Sequence, residues 1–125
     1  MSILSNPTVT INNNPIAIIP NSFKFKDGLG ESQLRVESAG GSSLSHQEAV
    51  DVSTMKGSVT FEMLNTPENI ESARNWKLNG SKNVVAASQG DFSRTFPSSI
   101  VTNDPEVSLS NEGNIMLEWQ TAPAV

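Results

Sequence analysis

The residue types that support catalysis are sparse in this chain. His46 is the only histidine, and Ser42, Ser43 and Ser45 lie near it without an adjacent Asp. A nucleophile and its base could come from such residues, but a solvated loop histidine is the simpler interpretation. Zinc takes several nitrogen or sulfur ligands, which one histidine and no cysteine do not supply. We therefore expect no catalytic site, no metal and no cofactor.

Three further motifs have simpler structural interpretations. Gly28-x-Gly30 lacks the third glycine and the following helix of a dinucleotide-binding loop. Asn79-Gly80-Ser81 matches a glycosylation acceptor, but Asn-Gly is also a common helix exit. Glu68 and Glu71 fall where a helix would begin, and carboxylates there interact favourably with the helix dipole.

The composition favours a single soluble domain, residues 1–125, that makes polar contacts. Charged residues make up 17% of the chain, against about 25% in an ordinary domain, while 43 of the 125 residues are Ser, Thr, Asn or Gln. Such polarity suits wet subunit interfaces, where unpaired charges would be costly. The net charge of −5 argues against holding nucleic acid by its phosphates. We recognise no signal peptide and no membrane span, and expect assembly in a cytoplasm.

The stretch from Gly57 to Gly80 predicts a strand followed by the only helix. Apolar and polar residues alternate over 57–64, as in a strand with one buried face. Thr66 and Pro67 are suited to begin a helix over about 66–79. The residues expected to face the core are Val59, Phe61, Met63, Ile70, Ala73 and Trp76.

Shorter alternating segments on both sides of this stretch predict further strands. They lie at 23–25, 33–39, 47–55, 83–88, 92–96, 98–102, 107–109 and 115–120, with a bulge or an edge at Pro97, while 9–11 is a possible short strand and 16–19 a brief apolar segment. Eight or nine short strands with one helix are typical of an antiparallel β-sandwich or a partly closed β-barrel. The fold class is therefore mainly β.

Two features point to assembly with other copies. Residues 38–46 are rich in Gly and Ser and form the expected flexible tip of a long hairpin, suited to docking on a neighbour. The strands at 33–39, 47–55 and 57–64 contain only one basic residue, Arg35, although exposed sheet edges are normally protected by lysines, prolines or bulges. These strands either pair within a closed barrel or continue into the sheet of a neighbour, and we favour continuation.

The order of these features resembles the tail tube proteins of bacteriophages. SFKFKDG precedes the long strand pair with its loop, GSVTFEML leads into the single helix, and SLSNEGNIMLEWQ forms a final hairpin. The resemblance implies protomers that form hexameric rings, which stack into a hollow tube in the virion. It also implies a sheath, baseplate and tail terminator proteins as partners, and DNA that passes through the lumen without specific binding.

The resemblance also implies two sets of functional residues. The loop that would reach the adjacent ring comprises Ser38, Gly40, Gly41, Ser42, Ser43, Leu44, Ser45 and His46. The lumen-facing residues would be Gln33, Arg35, Glu37, Asp51, Ser53, Thr60 and Glu62, with Val50, Val52, Val59 and Phe61 facing the core. Three carboxylates against one arginine would give an acidic wall that repels phosphates and lets DNA slide.

Two alternatives stay open. The inner tube of a type VI or other contractile injection system resembles the same architecture. A monomeric carbohydrate- or protein-binding β-sandwich would use Trp76 or Trp119 as a platform, although core or subunit-contact positions are the simpler interpretation of both tryptophans.

Overall fold

The computed structural model describes residues 7–38, 44–107 and 113–125. Their strands are β1 Thr8–Ile11, β2 Asn14–Ile16, β3 Lys24–Lys26, β4 Glu31–Ser38, β5 Leu44–Asp51, β6 Gly57–Leu64, β7 Asn83–Gln89, β8 Phe92–Val101 and β9 Asn114–Thr121. The helix α1 spans Pro67–Leu78, and short 3₁₀ turns occupy Val52–Thr54 and Gly80–Lys82. The expected class, mainly antiparallel β with a single helix, is confirmed.

Seven strands form one antiparallel sheet in the order β2-β1-β7-β8-β9-β6-β3, while β4 and β5 form a separate two-stranded sheet. Alternation determines which face of the larger sheet is buried. Along β6 and β9 every second residue is buried, so that Phe61 lies opposite Leu117 and Val59 opposite Trp119. Val9, Ile11, Val85, Ala87 and Phe96 complete the same core from β1, β7 and β8.

The large sheet curls, which brings its β3 end towards β8. The Phe25 ring lies 5.5 Å from that of Phe92 and 5.7 Å from that of Phe96. Residues 122–125 run along the same seam: the backbones of Val125 and Thr95 exchange two hydrogen bonds of 2.9 Å. No closed barrel forms among the described residues, because β2 and β3 remain the two outer strands of the sheet.

Helix α1 covers the buried face of this sheet and begins as predicted. The Thr66 hydroxyl accepts a hydrogen bond from the backbone N–H of Asn69 at 3.2 Å, and Pro67 follows the cap. Ala73 is buried, and the Trp76 ring lies 5.8 Å from that of Trp119. Gly80 takes the left-handed conformation, with φ of 63°, that was expected at the helix exit.

Asn83 joins the end of α1 to the sheet. Its buried carboxamide donates to the carbonyls of Trp76 at 2.8 Å and Gly80 at 3.1 Å. Its Oδ1 accepts from the carboxamides of Asn12 at 3.1 Å and Asn79 at 3.0 Å. One side chain therefore connects the helix exit, β7 and the turn between β1 and β2.

Several predicted strand boundaries were wrong. The segments predicted at 92–96 and 98–102 are one strand, β8, which ends at Val101. It is interrupted by a bulge: Val85 pairs with Phe96 and Asn83 with Ser99, so β8 has one extra residue beside Pro97. Val107, the first residue of the strand predicted at 107–109, belongs to no strand, and residues 108–112 lie outside the described residues. In the brief apolar segment 16–19, for which no strand boundary was predicted, Ile16 is the last residue of β2.

Candidate functional site

The hairpin of β4 and β5 stands apart from the large sheet, and we call it the arm. Its strands pair from Glu31 opposite Asp51 to Ser38 opposite Leu44. Within the described residues, neither β4 nor β5 pairs with another strand. β6, by contrast, is paired on both sides, with β9 and β3. The sequence suggested unprotected edges on three strands. In the structure β6 has a neighbouring strand on each side, whereas the outer edges of β4 and β5 have no partner among the described strands.

The predicted range of the loop, 38–46, was too long. Ser38 is the last residue of β4, and Leu44, Ser45 and His46 belong to β5. The strand predicted at 47–55 correspondingly begins earlier, at Leu44, and ends earlier, at Asp51. The remaining residues of the proposed stacking loop, Gly40, Gly41, Ser42 and Ser43, lie outside the described residues.

Local hydrogen bonds explain why β5 ends at Asp51. The Asp51 carboxylate accepts from the backbone N–H of Ser53 at 3.0 Å and from its hydroxyl at 2.7 Å. The Thr54 hydroxyl donates to the Asp51 carbonyl and accepts from the Glu31 N–H. A side chain that bonds two residues ahead competes with the strand ladder and turns the backbone. The hydroxyl and N–H of Ser53 lower the pKa of Asp51 below its usual 3.8.

Glycines allow close backbone approaches where the arm joins the sheet. We call residues 28–31 and 51–57 the arm root. Gly28 has φ of 87°, and a Cβ there would lie 2.8 Å from the Gly57 nitrogen and 3.0 Å from the Pro123 Cα. A Cβ on Gly57 would likewise collide with the Thr121 hydroxyl. Two arm-root segments and residue 123 therefore cross with no room for side chains between them.

The apolar residues of the arm do not reach the core. Val50 and Val52, predicted to face the core, are 43% and 76% exposed, and Leu34 is 70% exposed. The prediction was wrong because the arm stands outside the large sheet, so no layer within the described residues covers these side chains. Val59 and Phe61, predicted with them, are fully buried.

The structure separates the predicted lumen-facing residues. Thr60 and Glu62 lie together on the outer face of β6, both half-buried. Asp51 ends the arm, and Ser53 lies in the 3₁₀ turn instead of the predicted strand. Gln33, Arg35 and Glu37 lie on β4 opposite Ala49, Gln47 and Ser45, but their side chains are outside the described part of the structure.

The outer face of the sheet and the arm root form the walls of an open groove of about 800 Å³. Thr60, Glu118 and Gln120 line it from the sheet, and Glu31 and Thr54 line it from the arm root. Charges of both signs are present, because Lys26 and Lys56 also line the groove. Lys24 and Lys26 of β3 pair with Thr60 and Ser58 on the same face of the sheet. These lysines were not in the predicted lumen-facing set, and they lower the acidic excess expected for this face.

The described residues offer little chemistry for a small-molecule site. They contain no group of three His, Cys, Asp or Glu side chains that could hold a metal ion. Trp119 is buried and does not form a binding platform, and Trp76 packs against it half-buried. No described helix is long and apolar enough to cross a membrane. The arm and the outer sheet face are therefore the candidate functional surface.

Comparison of the chain with protein-family models, curated proteins and solved structures found no match.

Proposed function

We propose that this protein is a structural subunit that assembles through its arm into stacked rings, forming the hollow tail tube of a bacteriophage. The observation that carries the proposal is the arm itself. It is a two-stranded sheet with open outer edges and exposed apolar residues, Leu34, Val50 and Val52. An isolated two-stranded hairpin is at best marginally stable in water, so a neighbour that completes it supplies stability that one protomer lacks.

The edges of the large sheet also support assembly through the arm. Its outer strands contain Pro15 in β2 and Lys24 and Lys26 in β3, residue types that discourage edge-to-edge pairing. Among the described arm residues no proline or lysine is present. The main body is thus protected against strand addition, while the arm is left open to it.

In the proposed tube, Thr60 and Glu62 belong to the lumenal wall and residues 38–46 reach the next ring. The wall is a passive surface for DNA, with Lys24 and Lys26 close to its carboxylates. A sheath, baseplate and tail terminator proteins are the expected partners. The inner tube of a contractile injection system would use the same contacts, and neighbouring terminase and capsid genes would identify a phage.

Negative-stain electron microscopy of the purified protein tests the proposal. We expect rings at moderate concentration and hollow rods at high concentration, together with concentration-dependent sedimentation. A species that stays monomeric over a hundredfold range of concentration would contradict the tube function. Monomers that bind a glycan array would instead favour the carbohydrate-binding alternative.

A further inference from the structure

A second cavity, of about 280 Å³, lies between the C-terminal half of α1 and residues 104–107. We call it the α1 groove. Ile70, Ala73, Leu78 and Val107 give it an apolar lining. Leu78 is 71% exposed, so the groove opens to solvent. It is slightly smaller than the roughly 300–1,000 Å³ of small-molecule pockets, which suits an aliphatic side chain of another protein better than a ligand.

The charged residues at this groove are two cations and one carboxylate. The Arg74 guanidinium has no ion pair or hydrogen bond to any described residue, and Asp104 is the carboxylate. The Lys77 ammonium donates to the carbonyls of Val101 at 2.9 Å and Asn103 at 3.0 Å. Because an ammonium has three protons, Lys77 retains one donor. The groove thus has an excess of positive charge on a protein whose net charge is −5.

The arm root has the opposite character. Val52, 76% exposed, projects from its 3₁₀ turn. Glu31 and Asp51 lie directly opposite each other in the arm, and like charges in that position repel. Neither carboxylate forms an ion pair with a described residue. A carboxylate with an ordinary pKa is already charged in neutral solution, and the hydrogen bonds from Ser53 lower the pKa of Asp51 further. With Glu31, Asp51 and Lys56, the arm root has a net charge of −1, and none of the three forms an ion pair with a described residue.

These two surfaces lie on opposite faces of the large sheet. Glu31 and Thr54 of the arm root line the groove on the outer face, beside Thr60. Helix α1 packs on the core face, where Ala73 is buried. One copy therefore cannot bring its own two surfaces together, but a second copy can. Contacts between different surfaces of identical subunits repeat from copy to copy and close into a ring when the rotation allows it.

We propose that the α1 groove receives the arm root of a second copy of this chain. Val52 of one copy enters the apolar groove beside Leu78 of the next, and Glu31 and Asp51 face Arg74. The contact rests on the proposed ring-forming function and specifies one of its interfaces. It would place Asp51 at the boundary between two subunits instead of in the lumen.

Engineered disulfides test this contact directly, because the chain contains no cysteine. Val52→Cys and Leu78→Cys variants are mixed and oxidised with copper phenanthroline. A disulfide requires Cα atoms about 4.4–6.8 Å apart, so the heterodimer should form rapidly and in high yield if the surfaces meet. The matched control replaces Leu78→Cys with Leu64→Cys, another exposed leucine away from the α1 groove. Equal yields of cross-linked heterodimer from both mixtures would overturn the contact.

Charge exchange provides a second, independent readout. Glu31→Lys and Arg74→Glu should each weaken assembly about tenfold, and the double variant should regain most of that loss. Asp91→Lys and Lys82→Glu make the same charge changes at exposed sites outside both surfaces and should change assembly little. If the wild type assembles, but Glu31→Lys and Arg74→Glu weaken assembly no more than the control variants do, this contact alone is overturned. A wild-type protein that stays monomeric would overturn the contact and the tube function together.

Discussion

At the scale of single residues, Asn83 is the polar side chain on which most local structure depends. It is fully buried and makes four hydrogen bonds, three with residues 76–80 and one with Asn12 in the turn between β1 and β2. We expect Asn83→Ala to lower the free energy of unfolding by about 3 kcal/mol, because four part-buried hydrogen bonds are lost at once. Urea denaturation measures this loss.

Asn75, exposed on α1, provides the matched control for that experiment. Asn75→Ala should change the free energy of unfolding by less than about 0.5 kcal/mol, since it removes no buried hydrogen bond. A loss of less than about 1 kcal/mol of unfolding free energy in Asn83→Ala would show that the hydrogen bonds of the Asn83 side chain are dispensable. Its role was not predictable from sequence, because a chain with 13 asparagines gives no sign of which one is buried.

Asp51 gives a residue-scale prediction in pH. Its folded-state pKa lies below 3.8, so ionised Asp51 stabilises the arm-root turn above pH 3.8. That stabilisation is lost as the pH falls through the lowered pKa. In an NMR titration, Ser53→Ala should raise the pKa of Asp51 towards 3.8, because the hydroxyl is the larger cause of the shift. An unchanged titration midpoint would contradict this.

At the scale of elements, the arm tip has the sharpest expected phenotype. Deleting Gly40–Ser45 should block the stacking of rings while leaving the large sheet and α1 folded, because neither β4 nor β5 pairs with that sheet. Microscopy then shows rings without rods, and circular dichroism shows an unchanged thermal transition. Normal rods from the deletion variant would contradict the stacking role of residues 38–46.

Elements that bury one full face were predictable, and β6 is the clearest case. Its alternation extends without interruption from Gly57 to Leu64, and the structure has the same boundaries. The capping pattern at Thr66-Pro67 located the start of α1 equally well. In both, the local pattern and the tertiary packing require the same residues in the same places.

The elements that were mispredicted had local patterns that tertiary structure or side chains override. In β8, the bulge beside Pro97 shifts the register, so one strand reads as two. In β5, Val52 continues the alternation of Val50, but the hydrogen bonds from Ser53 to Asp51 turn the chain. Alternation also indicates which residues share a face without indicating what covers that face, and so Val50 and Val52 were placed in the core.

At the scale of the whole molecule, the protein divides into a body, which is the large sheet with α1, and the arm, which forms a separate two-stranded sheet. The body has one continuous core, covered by α1 and bounded by edges that contain Pro15, Lys24 and Lys26. Within the described residues, the arm leaves the apolar side chains of Leu34, Val50 and Val52 exposed and its outer strand edges unpaired. This division is the basis of the proposed assembly. Composition alone does not show which strands belong to the body and which form the arm.

The crossing of glycines at the arm root has a mechanical consequence. Gly28 and Gly57 bring two arm-root segments against residue 123 with no side chain between them. A force that pulls on the arm therefore acts directly between backbones at the arm root, because no side chains separate them. The load passes from backbone to backbone into β6, which is paired along its length with β9. In the proposed tube under tension, neighbouring protomers would transmit strain through this joint into β6 and β9 of each other's sheets.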